Sequence, residues 1–314
     1  ASDVYKRQLT GTGAYLIVNH INNANAITTS NFTSIGNLLN SDGSINSTTV
    51  STLMSRLGND TTSTRKKSAI NGGTPVVFQM GTVPGSTTAI YWQVVYQTAD
   101  IITVWMTQPY TNAIFNPDSD ENGSNLYNNN YSMSILRQNA LRIFDDLSAA
   151  YPMLNDIVKS PQDAGNVASW QESQTNARYN SSYWSITNGL GVNVNSGSAS
   201  TSDINDRNPY NWAWYSCMGD KFWIPSHYEV CNTSTSGSGS STNGYWGLNA
   251  TDLSFTTTLK TGASTSYCCL RSGVSVNSCY ALLVSSSGFA GNVNFVYDSY
   301  GVRPAAHISL SSLA

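Results

Sequence analysis

Cys268, Cys269 and Cys279 crowd into one short stretch of the chain, and a thiolate is both a strong nucleophile and a soft metal ligand. To act as either, a cysteine needs a neighbour that favours the thiolate, such as a histidine, a basic cluster or a helix N-terminus. No such flank adjoins these three, and a disulfide between adjacent Cys268 and Cys269 would close a strained ring. Zinc asks for a convergent tetrahedral set of nitrogen or sulfur ligands. His20, His227 and His307 are far apart in the chain and no C-x-x-C occurs, so neither a metal site nor a cofactor is expected. The five cysteines are an odd number; Cys217 and Cys231 could bridge across the segment between them, with at least one thiol unpaired or the pairs partial.

DSDENG over 118–123 matches the opening of a calcium loop, with Asp118, Asp120 and Asn122 as oxygen ligands and Gly123 at the turn. Asn129 stands where the closing bidentate Glu belongs, so a solvated Asx-rich turn is the better reading. Arg271 and Arg303 could each clamp a carboxylate through the guanidinium fork. The expectation is instead that both tie loops together by hydrogen bonds to backbone carbonyls. No Ser-His-Asp set has recognisable flanks.

The elements that must position these residues are legible in part. At 314 residues and 40% apolar, the chain can bury a sizeable core. Val50, Leu53, Met54 and Leu57 fall on one helical face between Ser47, read as the N-cap, and Gly58 as the stop. Strands are expected over 75–80, 90–97 and 101–108, where β-branched and aromatic residues concentrate, the last two joined as a hairpin. A longer helix starts at Ser134, with Ile135, Leu136, Ile143, Phe144 and Leu147 as its apolar stripe and Pro152 beyond its end. Residues 160–211 read as loop, with low complexity at 193–202, and the Ser/Gly tract 234–243 reads as a flexible surface loop. FWIPSHYEV at 222–230 reads as a strand entering a short helix, and the remainder as strands. Residues 9–72 are thus expected to be a helical N-terminal region and 73–314 the main domain.

Net charge is -3 and only 11% of residues are charged, which leaves no basic field for a phosphate backbone. Nucleic acid is an unexpected partner. Asn, Ser, Thr and Gly dominate the polar positions beside 18 Tyr and 8 Trp, a composition of secreted, ligand-contacting surfaces. No run of apolar residues is long enough to insert into a membrane. The opening ASDVYKRQ lacks Met and reads as an adaptor remnant of a metagenomic reading frame, so 1–8 are set aside as an expected artefact.

Several blocks occur in a telling order: IYWQVVYQT, MTQPY, the Ser134 helix, FWIPSHYEV, YWGL and CLRSG, then LVSSSG at Leu283 to Gly288 and YGVRPAAHISL from Tyr300 to Leu310. This layout resembles the C-type lectin-like domains of gut bacterial and phage surface proteins that end in GVRPA, among them the variable proteins of diversity-generating retroelements. The resemblance covers most of 75–310 and leaves 9–70 outside. It implies an α+β, C-type lectin-like fold with twisted antiparallel sheets, two helices and long loops. It implies binding rather than catalysis: an adhesin or receptor-binding module on a cell surface, secreted, or on a phage virion, whose partner is a protein or glycan. The EPN or QPD and WND motifs of calcium-dependent sugar lectins are missing, so calcium-dependent sugar binding is not expected.

In the retroelement-diversified relatives, adenine-directed mutagenesis yields residue sets without Lys, Glu, Gln, Trp or Met, and none of these occurs over 273–300. By that resemblance the contact residues are Asn277, Tyr280, Phe289, Asn292, Asn294, Phe295, Tyr297, Asp298 and Tyr300. Tyr and Asn suit such a surface, one rigid and amphipathic, the other small and adaptable. The lectin-like fold also hosts formylglycine-generating enzymes, which keeps an enzyme using Cys268, Cys269 or Cys279 as the alternative. A purely structural surface domain is the third reading.

Overall fold

Runs such as IYWQVVYQ and IITVWM carry apolar or aromatic side chains at consecutive positions, which suits strands covered on both faces. The computed structural model of the chain describes residues 32–58, 64–116, 131, 134–164, 185–187, 191–193, 219–230, 246–273, 280–288 and 290–314. Its first half holds β1 (Ser34–Asn37), α1 (Ser47–Leu57), β2 (Arg65–Lys66), β3 (Val77–Thr82), β4 (Ala89–Gln97), β5 (Ile101–Met106) and β6 (Thr111–Ile114). Then come α2 (Ile135–Ala150), α3 (Leu154–Ile157), β7 (Val158–Lys159), β8 (Ser185–Thr187), β9 (Gly191–Asn193), β10 (Phe222–Trp223) and α4 (His227–Val230). The last part holds α5 (Ala250–Leu253), β11 (Tyr267–Gly273), β12 (Tyr280–Ser285), β13 (Ala290–Phe295), β14 (Ser299–Val302) and β15 (Ala305–Ser309). The architecture is α+β, and Ser34–Ala314 form one unit.

The larger sheet has the order β1-β3-β4-β5-β15-β10, with β2 beside β4 and β7 beside β15. Every residue of β5 and of β15 is buried. β15 pairs antiparallel with β5, Ala306 opposite Val104 and Ile308 opposite Ile102, and its other edge is shared by β7 and β10. The smaller sheet runs β13-β12-β11-β14-β6. The two sheets are stitched at the two short crossings of the chain, from β5 to β6 and from β14 to β15. There Met106 N donates to Pro304 O at 3.1 Å and Tyr110 N to Val302 O at 2.8 Å.

α1 is capped by Asn46, whose side chain accepts from Thr48 and Thr49 N, one residue before the expected Ser47. Both residue types cap well, and burial of Leu53 and Leu57 fixes the helical phase. Ser134 caps α2 as expected, accepting from Arg137 N at 2.9 Å, and the helix buries Leu136, Ala140, Ile143, Phe144 and Leu147 while touching β10 and β6. The region expected to be only helical also supplies β1 and β2 to the larger sheet. These strands are too short and too polar for an alternation to reveal them. Within the expected loop 160–211, β8 and β9 pair as a hairpin, Ile186 opposite Val192. The 193–202 and 234–243 tracts lie outside the described residues, apart from Asn193 at the end of β9. No helix among the described residues is long and apolar enough to cross a membrane.

Candidate binding face

The GVRPA block places a charged side chain where water does not reach. Arg303 is 1% exposed and spans the seam between the sheets. Its Nε donates to Met106 O, its Nη1 to Leu253 O at 2.8 Å and its Nη2 to Asp252 O at 3.1 Å. The guanidinium lies 3.6 Å over the Trp105 ring, and Trp105 Nε1 donates back to Arg303 O at 2.8 Å. Burial lowers the guanidinium to about 10, which still leaves it charged at neutral pH. Arg303 therefore ties loops together, as expected, and has no fork to spare for a ligand.

Arg271 does similar work one strand away. Its Nη1 donates to Ile224 O at 3.1 Å and to Glu229 Oε2 at 2.5 Å, and Glu229 Oε2 also accepts from Ser226 N at 2.7 Å. The pair fixes β11 to α4. Sequence reasoning missed Glu229, and it missed Asp252, whose carboxylate and backbone N close a capping box with Asn249. The spacing of Asn249 and Asp252 could have revealed the second of these.

On this frame sits the β12–β13 hairpin, with Tyr280 opposite Phe295 and Ala281 opposite Asn294. Ala281, Leu282, Leu283 and Val284 are all buried, so β12 is covered on both faces. Gly288 in the turn has φ +83°, and a Cβ there would meet Ala250 O at 2.0 Å; only glycine lets the turn rest on α5. Beyond β13, Val296 is buried and its carbonyl accepts from Phe115 N at 2.8 Å and Asn116 N at 3.0 Å. The backbone that carries the contact residues is thus pinned at both ends.

The proposed contact residues divide. Asn294, Phe295, Tyr297 and Asp298 are half-buried, and the Phe295 and Tyr297 rings stack at 4.8 Å and 21°. Tyr300 is a correction: it is 7% exposed, meets Tyr267 edge-on at 6.2 Å and donates to Asp298 Oδ2 at 3.0 Å. Burial, and then the Asp298 carboxylate, push its hydroxyl well above the usual tyrosine range. Its strand β14 lies between β11 and β6, and the ring of Tyr267 on β11 covers it. Asn277 and Phe289 lie outside the described residues. So do the side chains of Tyr280 and Asn292, whose backbones belong to β12 and β13.

The thiols and histidines fare differently from a reactive cluster. Cys268 and Cys269 are unpaired and buried, and burial pushes both thiols far above the ordinary range. Successive strand positions point to opposite faces, so the two do not share a cleft. Cys268 Sγ instead fills the space over Gly301, where a Cβ would approach it to 2.8 Å. His307 is buried in β15 between Thr103 Oγ1, 3.1 Å from its Nδ1, and the Trp223 ring at 4.4 Å. Its Nε2 has no partner among the described residues, and burial holds its pKa down to about 3. Among the described residues no group of three or more His, Cys, Asp or Glu could hold a metal ion. The 118–129 loop, His20, Cys217, Cys231, Cys279 and the His227 side chain lie outside the described residues. No family model, no curated protein and no solved structure matches the chain.

Proposed function

We propose that this chain is a binding module of the C-type lectin-like kind, secreted or displayed on a cell or virion surface. It acts as an adhesin or receptor-binding component, meets a protein or glycan, and uses 273–300 as its contact segment. The observation that carries this reading is the contrast within one hairpin. Asn294, Phe295, Tyr297 and Asp298 remain partly exposed, while residues 281–285 of the adjoining β12 are buried and the turn is pinned against α5. A rigid support under adaptable side chains is what a recognition surface requires. Cys268 and Cys269, both buried, give no support to the formylglycine-generating alternative, which needs accessible, reactive cysteines.

The test uses the fluorescently labelled full chain on a panel of intact gut bacterial cells. Saturable binding is expected on some strains, and Phe295→Ala or Tyr297→Ala is expected to weaken it by about 30-fold while the fold persists. Absence of saturable binding across the panel, or wild-type binding by the doubly substituted chain, overturns the reading.

A further inference from the structure

Lys67 and Asp252 are distant in the chain, yet Lys67 Nζ stands 2.8 Å from Asp252 Oδ2 with side chains 4% and 0% exposed. Both are held in place. Lys67 N donates to Trp246 O at 2.9 Å; Asp252 Oδ2 accepts from Asn249 N at 2.8 Å, and its Oδ1 accepts from Gln93 Nε2 at 2.7 Å. The guanidinium of Arg303 is bonded to the Asp252 backbone oxygen. An ammonium has three donors. Among the described residues, Asp252 is the sole acceptor recorded for that of Lys67. Gln93 Oε1, on the amide that holds the carboxylate, is buried without a partner among the described residues.

We propose that Lys67 and Asp252 condense into an intramolecular isopeptide bond. The Lys67 ammonium gives one proton to Asp252 Oδ2, and the freed lone pair attacks Cγ. Charge developing on Oδ1 meets the Gln93 amide N–H already aimed at it. A second proton then passes from the nitrogen to Oδ2, the Cγ–Oδ2 bond breaks and water leaves, so the new Nζ–Cγ amide and one water account for every atom. No oxidant, metal or co-reactant takes part. Contact with a carboxyl oxygen leaves the amine only a small swing from the carbon, and fixed neighbours on both sides supply the orientation. Exclusion of water from the site disfavours the reverse hydrolysis. The buried ion pair of Arg271 with Glu229 lacks a nucleophilic amine, so among the described residues the chemistry falls to Lys67.

Intact mass spectrometry of the denatured full chain decides the matter. The expected mass is that of the sequence less one water, and trypsin is expected to leave the bond after Lys67 uncut and to yield a peptide joining Lys67 to Asp252. Asp252→Asn is expected to lose ammonia instead of water, and Lys67→Met to show its full sequence mass. A wild-type chain at full sequence mass overturns the proposal even if every variant misfolds, and so does a water loss that maps to any other pair.

Discussion

β13 and β15 lie one strand apart in the chain and are opposites in circumstance. β15 is enclosed on both faces and on both edges, with β5 on one side and β7 and β10 on the other, and its residues are Ala, His, Ile and Ser chosen for fit. The end of β13 and the turn that follows carry Asn294, Phe295, Tyr297 and Asp298 half in solvent, with only Val296 fully inserted. Between the two lies β14, whose Gly301 and Arg303 flank make it part of the frame rather than the display. The contrast teaches that tolerance to change in this segment is set residue by residue by burial, and not by membership of the 273–300 stretch.

Four substitutions or titrations sharpen or break that contrast. The largest effect is expected for Arg303→Met, which strands the carbonyls of Met106, Leu253 and Asp252 in a dry seam. A loss of about 3–5 kcal/mol in urea unfolding, or failure to fold, is expected; a loss below about 1 kcal/mol breaks the frame argument.

Acidification comes next. The pKa of His307 is depressed from 6.5 to about 3, so the unfolded chain takes up a proton before the folded one does. Its contribution to stability is therefore complete above about pH 6.5 and lost progressively as pH falls towards about 3. By about pH 4 the loss is expected to reach roughly 3 kcal/mol. The slope between about pH 6.5 and 5, where most carboxylates are still ionised, isolates the histidine and is expected to flatten in His307→Gln.

Gly301→Ala is expected to cost about 1–3 kcal/mol, since the new methyl group meets Cys268 Sγ at 2.8 Å and Pro109 Cβ at 2.9 Å. Adding Cys268→Ala is expected to recover part of that loss in a double-mutant cycle, and strict additivity argues against the contact. The smallest effects belong to Phe295→Ala and Tyr297→Ala, about 1 kcal/mol or less each, because half-exposed rings that stack on each other leave no cavity when removed. Core-sized losses at both would place these aromatics with β15 rather than with a contact surface.

Where local chemistry dominates, the sequence is readable. The strands around Trp92 and Trp105 betray themselves by β-branched and aromatic density, and the Ser134 helix by its cap and stripe. The carbonyl-binding role of Arg303 agrees with the expectation that it ties loops together, since a guanidinium has five donors for backbone oxygens. What could not be read depends on register and on distant partners. Tyr300 looks like its neighbour Tyr297 in sequence, and only its place in β14, where the Tyr267 ring of β11 covers it, sets the two apart. The same reasoning separates Cys268 from Cys269. Glu229 and Lys67 owe their burial to partners 42 residues away in one case and at Asp252 in the other, a distance no local pattern spans. β1 and β2 are polar and short, so they become strands only because β3 and β4 offer them an edge.

The interior position of β15 also bears on how the chain is made. Residues 305–309 fill the gap between 101–106 on one side and 158–159 and 222–223 on the other. During synthesis the edge of β5 must therefore wait, unpaired and apolar, until some two hundred further residues have left the ribosome. Contacts of such sequence separation slow folding and leave an aggregation-prone strand exposed meanwhile. Nascent chains arrested before residue 305 are expected to engage chaperones that bind extended apolar segments, and a few more residues of synthesis are expected to release them.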